Sequence, residues 1–258
     1  MRSFLLMLQF MTRYPIPVRI EFTAERFVKG MKWMPLVGLL AALPAAIVFA
    51  VTDAFLGREI GAIVAVILLI TVTGGLHLDG IGDTADGLFC YRTRERMLEI
   101  MRDSSLGTNG VIAIVLAILL KYIFLQNIPA TGAVLAVLAA PVLGRMALTW
   151  HSAVARYARE GRGIGEYVNR TGPVQAVTAT LVSLGIVTGI LFMGGVPPIL
   201  LPWMVLVLHL PPILLAILFA AYVKKRLGGI TGDTIGASIE LAELLSFFVF
   251  LLLWKFLI

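Results

Sequence analysis

Three aspartates, Asp79, Asp83 and Asp86, directly follow a long apolar run and form the clearest chemical pattern in the chain. If this stretch is helical, their spacing of four and then three residues places them on one face. Glu99 and Asp103 form a second pair, four residues apart. Like charges at this spacing destabilise a helix, but a hard cation between the carboxylates reverses the effect, because Mg²⁺ and Ca²⁺ take oxygen ligands. The pattern therefore predicts a divalent-metal site.

A second acidic stretch, residues 228–245, carries Asp233, Glu240 and Glu243. We expect it to meet the first aspartates over a shared ion. Glu240 and Glu243 are also explained by the preference for negative charge at a helix N-terminus, which is worth about 0.3–1 kcal/mol. The predicted metal ligands are Asp79, Asp83, Asp86, Glu99, Asp103, Asp233, Glu240 and Glu243.

His77 lies two residues before Asp79, so in a helix its side chain would point away from the aspartates. In an extended or broken segment it would share their site. The sequence leaves two roles open for it: a hydrogen-bonded core residue, or a phosphate contact or acid/base group.

Two polar segments, 103–110 and 232–234, resemble helix N-termini, whose free backbone N–H groups bind phosphate. Nearby arginines are suited to clamp a phosphate through two hydrogen bonds, or serve only as topology charges. The predicted substrate-binding residues are Arg102, Ser104, Thr108, Arg156, Arg159 and Thr234.

The composition identifies an integral membrane protein. Of the 258 residues 59% are hydrophobic and only 14% are charged, against about 25% charged in soluble domains. A single cysteine, Cys90, excludes an internal disulfide. We expect one all-α domain over 1–258, a polytopic transmembrane helical bundle with an interfacial segment at 1–33. The seven predicted spans are 34–56, 60–78, 110–128, 131–150, 174–196, 199–222 and 241–257.

The basic residues predict the orientation of the bundle. Seventeen of the 21 Lys and Arg residues lie before the first span or after the second, fourth and sixth, whereas only Arg58 and Lys255 lie in the alternate segments. Positive residues favour the cytoplasmic side, which places the N-terminus and both acidic stretches there. The net charge of +6 is thus explained by topology and contacts with membrane lipid, and nucleic acid is not required.

Five segments of the chain resemble those of the cobalamin synthase (adenosylcobinamide-GDP ribazoletransferase) family in order and spacing. The resemblance covers essentially the whole chain, and its most specific part is the acidic motif that begins at His77. The segments are MTRYPIPV (11–18), HLDGIGDTADG (77–87), EIMRDSSLGTNG (99–110), RYAREG (156–161) and GGITGDTIGASIELAE (228–243).

The resemblance implies a Mg²⁺-dependent, multi-pass enzyme of the prokaryotic cytoplasmic membrane that joins adenosylcobinamide-GDP to α-ribazole, or its 5′-phosphate, and releases GMP. Such phosphoryl-type transfers need charge neutralisation and in-line positioning. On chemical grounds the catalytic candidates are Asp83, Asp86 and His77, and either aspartate can serve as the base. A homo-oligomer is compatible with the sequence.

Two rival functions remain open at this point. A phosphotransferase of the CDP-alcohol type also gathers aspartates at a span's end, but its Asp-Gly-x-x-Ala-Arg motif is absent here. A divalent-cation or proton-coupled transporter would use the acids as an ion path. Carriers place such sites near the membrane midplane, whereas these acids are predicted at span ends.

Overall fold

The computed structural model describes residues 1–159 and 164–256. Within them the chain is almost entirely helical, and the one β-type contact is an isolated bridge between Tyr157 and Ile230. The all-α prediction is therefore confirmed. The helices of this part of the chain are α1 (Arg2–Met11), α2 (Ala24–Met31), α3 (Met34–Leu56), α4 (Arg58–Thr73), α5 (Leu76–Leu88), α6 (Arg94–Ile100), α7 (Thr108–Asn127), α8 (Ala130–Val154), α9 (Ile164–Asn169), α10 (Pro173–Met193), α11 (Leu201–Leu227) and α12 (Gly232–Phe256).

Six of these helices, α3, α7, α8, α10, α11 and α12, are long and apolar enough to cross a membrane. A seventh crossing is formed if α4 is continued by α5, whose axis is bent by 88° relative to it. The prediction of about seven spans is confirmed. The single helix predicted over 60–78 is wrong, because Gly74 and Gly75 take left-handed backbone conformations (φ 64° and 74°) that end α4.

The central helix is α8, which is buried along most of its length and packs against α3, α10, α11 and α12. Lipid tails give helices little hydrophobic reason to associate, so close packing of small residues holds such bundles together. At Gly38 of α3, for example, an added Cβ would overlap the backbone of Pro141 in α8. The rigid α8 thereby fixes the position of the polar residues that it carries.

The N-terminal helices α1 and α2 are too short to span a bilayer and pack against each other beside the bundle. Thr23 caps α2 by accepting a hydrogen bond from the Arg26 N–H (3.3 Å). Gly30 allows the close approach of α1, since a Cβ at this position would lie 2.5 Å from Met7 Cγ. These two helices also contact α3, α9 and α10, so they close one side of the bundle.

The last helix, α12, begins at Gly232, nine residues before the predicted start of the seventh span. The predicted end of that span, residue 257, lies outside the described residues. Glu240 and Glu243 therefore lie within the helix, beyond its first turn, and the helix N-terminus does not explain their charge. The expectation that they lie at a helix N-terminus is therefore wrong, and partners on distant helices make their buried position possible.

Candidate active site

Helix α5 carries the three aspartates of the predicted metal-binding face, and the structure confirms that this stretch is helical. Asp79 is exposed, Asp83 is half-buried and Asp86 is buried. Between them, Gly80 packs against the start of α12, where an added Cβ would lie 2.7 Å from the Asp233 carbonyl oxygen. Glycine at position 80 thus allows the two acidic stretches to come into contact.

The first turn of α12 is fixed by two threonines that cap each other. The Thr234 N–H donates to the Thr231 hydroxyl (3.2 Å), and the Thr231 N–H donates to the Thr234 hydroxyl (2.9 Å). The Gly232 N–H donates to the Tyr157 hydroxyl (3.2 Å). These three N–H groups have protein partners, whereas the sequence predicted free groups at this helix start.

Asp233 is held in place on the adjoining surface of this turn. Its carboxylate accepts hydrogen bonds from Arg159 Nη2 and from the Thr231 hydroxyl, both at 3.2 Å. Arg159, a candidate phosphate clamp in the sequence, therefore forms an ion pair with one of the predicted metal ligands. The last two residues of the RYAREG segment lie outside the described residues.

Asp79 and Asp233 line the same cavity, which has a volume of about 230 Å³. His77 also lines it, as do the backbones of Gly80 and Gly236. The volume is smaller than that of typical small-molecule sites, which measure about 300–1,000 Å³. The two acidic stretches, which we expected to meet, thus come together at this cavity through Asp79 and Asp233.

The charge around this cavity is predominantly negative. Asp83 interacts electrostatically with Asp79, Asp233 and Asp86, and Arg159 is the cation that opposes them. In the part of the chain that the structure describes, the side chains of Asp79 and Asp83 make no hydrogen bond or ion pair, whereas Asp233 makes both. The unused carboxylate oxygens of α5 leave this site suited to a cation.

The donor set fits Mg²⁺ bound together with a substrate. Among the described residues, no three His, Cys, Asp or Glu side chains converge into a metal site made by protein alone. Mg²⁺ usually keeps several waters and binds through one or two carboxylates plus substrate phosphates. Asp79 and Asp233, which both line the cavity, provide hard oxygen ligands of this kind.

Asp86, also a predicted metal ligand and catalytic candidate, makes contacts of another kind. Its two carboxylate oxygens accept hydrogen bonds from the backbone N–H groups of Gly107 (2.7 Å) and Gly110 (2.9 Å). These groups belong to the start of α7, which the sequence predicted to be open for phosphate. Asp86 therefore ties α7 to α5 by capping it.

Replacing Asp86 with alanine is expected to destabilise the protein by about 1–3 kcal/mol, because two N–H groups at the start of α7 lose their acceptor. Thermal unfolding in detergent measures this loss. The matched control is Glu95→Ala, which removes an exposed carboxylate from neighbouring α6 and should leave the unfolding midpoint unchanged. Equal midpoints for Asp86→Ala and the wild type would contradict the capping role.

Glu240 and Glu243 belong to a buried ion-pair network on the inner side of α12. Lys121 Nζ of α7 lies 2.7 Å from Glu240 Oε2 and 2.6 Å from Glu243 Oε2. Arg145 of α8 also pairs with Glu243. The charges of two acidic and two basic side chains thus neutralise each other in the core. Buried charges require such pairing.

This network reaches the cavity through His77. Arg145 Nη2 lies 3.3 Å from His77 Nδ1, and because a guanidinium only donates, Nδ1 accepts and Nε2 carries the proton of the neutral ring. Nε2 is buried without a partner within the described residues. His77 is thus a buried residue, held by Arg145, at the boundary between the ion-pair network and the cavity.

The other predicted site residues lie away from this cavity, as its lining shows. Glu99 pairs with Arg96 at the surface, and a hydrogen bond from the Ser105 backbone N–H lowers the pKa of exposed Asp103. Thr234 is buried in the capping turn of α12. The remaining members, all exposed, are Arg102, Ser104, Thr108 and Arg156.

Several residues at or near the site are not among the predicted site residues. Lys121 and Arg145 were visible as isolated charges within spans, a signal of buried function in membrane proteins. Phe10, Phe27 and Met31 line the cavity from the N-terminal helices, and nothing in their spacing indicates this. Their contribution depends on how α1 and α2 fold back against the bundle.

The helical bundle defines a polytopic membrane protein, and its acidic cavity is the candidate small-molecule site. The chain belongs to the cobalamin-5-phosphate synthase family, whose model matches residues 3–251. It is an enzyme, a transferase of cobalamin biosynthesis, as the resemblance in its sequence implied.

Curated relatives match over nearly their whole length. The chain is 36% identical over 252 residues to the adenosylcobinamide-GDP ribazoletransferase of Acetivibrio thermocellus, covering 97% of each chain. It is 35% identical over 280 aligned positions to that of Fusobacterium nucleatum, covering 100% of each. The protein of this name from Clostridium novyi is 34% identical over 246 residues, or 95% of this chain and 94% of that one. No solved structure matches the chain.

Proposed function

We propose that this chain transfers the cobinamide-phosphate group of adenosylcobinamide-GDP to α-ribazole or its 5′-phosphate. A ribose hydroxyl of the acceptor attacks the phosphorus atom on the cobinamide side. The new P–O bond forms as the bond to the GMP oxygen breaks, so that GMP leaves with the electron pair and the hydroxyl proton passes to a base. The observation that carries this proposal is the shared cavity lined by Asp79 and Asp233.

In this proposal Asp79 and Asp233, the two carboxylates that line the cavity, would hold Mg²⁺ together with a phosphate of the substrate. When bound, Mg²⁺ supplies charge neutralisation for the diphosphate and for the leaving GMP. The protein contributes the positions of both carboxylates: α5 fixes Asp79, and the capped first turn of α12 fixes Asp233.

Asp83 is the proposed base for the attacking hydroxyl. It lies one helical turn beyond Asp79 on the same helix, and its carboxylate oxygens make no hydrogen bond in the described residues. Asp86 is less suited to this role, because its oxygens already accept two backbone hydrogen bonds. Arg159 orients Asp233, and its guanidinium is close enough to the cavity wall to attract a phosphate.

We further propose that the protein resides in the cytoplasmic membrane with this site facing the cytoplasm. The proposal rests on the distribution of Lys and Arg, since α12 follows the basic run Lys224, Lys225 and Arg226 at the end of α11. A cytoplasmic site would also be open to water-soluble nucleotide substrates.

The test uses the purified, full-length protein in detergent or liposomes with adenosylcobinamide-GDP and α-ribazole. We expect GMP release with Mg²⁺ present, loss of that release to background with excess EDTA, and recovery when Mg²⁺ is restored. Release that persists in EDTA would refute the metal role. An absence of GMP under all conditions, together with flux of a divalent cation across the liposome membrane, would favour a transporter.

A further inference from the structure

The cavity at the candidate site has two walls of different chemistry. Helices α5 and α12 contribute Asp79, Asp233 and His77, whereas α1, α2 and α3 contribute an apolar wall. The side chains of this second wall are Phe10, Met11, Phe27, Met31 and Met34. One small cavity thus joins a polar, acidic side to a hydrocarbon side.

The apolar wall is rigid at its aromatic end. The ring centroids of Phe10 and Phe27 are 6.3 Å apart in an edge-to-face contact, and Phe27 lies 6.0 Å from Tyr167 of α9. Met31 and Met34 are fully buried. Methionine side chains adapt to the outline of a ligand, and their sulfur atoms make favourable contacts with aromatic rings. Such a wall suits a flat aromatic group.

We infer that this apolar wall binds the base of the acceptor nucleoside, an inference that rests on the proposed function. α-Ribazole carries a benzimidazole base whose six-membered ring, with its two methyl groups, is hydrocarbon. Packed against this wall at the half-buried Phe10, this base directs its ribose hydroxyls towards Asp79 and Asp233. The wall is thus a specificity determinant for the acceptor.

The other groups of the two substrates fit this wall poorly. Guanine has hydrogen-bonding groups along most of its edge, and burying them against Phe and Met side chains would leave them unsatisfied, a costly arrangement. A corrin ring fringed with amides is too large for a cavity of about 230 Å³. These considerations leave the corrinoid and the GMP group outside the apolar part of the cavity.

The test enlarges the cavity at this wall and compares acceptors whose bases differ in size. In Met31→Ala, kcat/KM for a nucleoside with a naphthimidazole base should rise at least about tenfold relative to α-ribazole, while KM for adenosylcobinamide-GDP stays within about twofold. The matched control is Met204→Ala, which removes an equally buried methionine of α11 away from the cavity and should leave the acceptor preference unchanged. An unchanged preference in Met31→Ala, or a raised KM for the corrinoid alone, would overturn the inference.

A second variant covers the case in which Met31→Ala fails to fold. Phe10→Cys in a Cys90→Ser background places a single accessible thiol in the wall, since Phe10 lines the cavity and is only half-buried, and Cys90 is the one native cysteine. Saturating α-ribazole should slow its reaction with N-ethylmaleimide, whereas adenosylcobinamide-GDP should not; the reverse pattern would refute the inference. A wild-type protein that releases no GMP would instead refute the proposed function.

Discussion

Asp79→Asn is expected to lower kcat/KM for GMP release by about 10²–10³-fold, the usual loss when one preorganised electrostatic contact to the reacting group is removed. Asp79 lines the cavity, and within the described residues its carboxylate makes no contact that stabilises the fold. Because the side chain is exposed, the substitution should change the free energy of unfolding by no more than about 0.5 kcal/mol. Steady-state kinetics and thermal unfolding of the same preparation measure the two effects.

The matched control for Asp79→Asn is Glu95→Gln, which removes another exposed carboxylate, from α6, a helix that does not line the cavity. Its turnover should equal that of the wild type. A second variant, Asp103→Asn, tests the larger set of metal ligands predicted from the sequence, which includes Asp103. The metal site proposed here does not include it, so we expect Asp103→Asn to keep full activity. If Asp79→Asn kept full activity, the Asp79 carboxylate would have no part in the reaction.

Lys121→Met is expected to produce the largest loss of stability, about 3–5 kcal/mol, because it leaves two buried glutamates with Arg145 as their remaining cation. The double variant Lys121→Met with Glu240→Gln should recover much of this loss, since it removes one buried negative charge as well. Thermal or denaturant unfolding in detergent provides the measurement.

The exposed pair Lys29–Glu25 provides the control for this comparison. Lys29→Met makes the same chemical change in an ion pair on the surface of α2, and it should leave the unfolding midpoint unchanged. If Lys121→Met were as stable as Lys29→Met, the buried network would contribute nothing to the fold. If Glu240→Gln failed to rescue Lys121→Met, unpaired charge would not be the cause of the loss.

The spans were predictable from sequence because hydrocarbon selects long apolar runs, and six of the seven predicted ranges overlap single helices extensively. The break at Gly74 and Gly75 was not predictable from hydropathy, which does not report the backbone conformation of glycine. The early start of α12 was missed because Asp233, Glu240 and Glu243 make the segment appear polar. Lys121 and Arg145, far away in sequence, make a buried helix possible there.

For the candidate site, the sequence indicated the stretches that meet but not the contacts of each side chain. The spacing of Asp79 and Asp83 indicated a shared face only on the condition that the stretch is helical, and the structure shows that it is. The same spacing gave no sign that Asp86, one turn further, caps α7. Capping depends on where the N-terminus of another helix lies, which is a property of the tertiary structure. The apolar wall of the cavity was hidden for the same reason.

A double-mutant cycle on Asp79 and Asp233 tests most directly whether the two acidic stretches serve one reaction. Side chains that act as a unit give strongly non-additive losses of kcat/KM. The combined variant Asp79→Asn with Asp233→Asn should therefore lose little more activity than the worse single variant. Losses that multiply, so that the double variant falls by the product of the two single effects, would show that the aspartates act independently and would contradict a shared site.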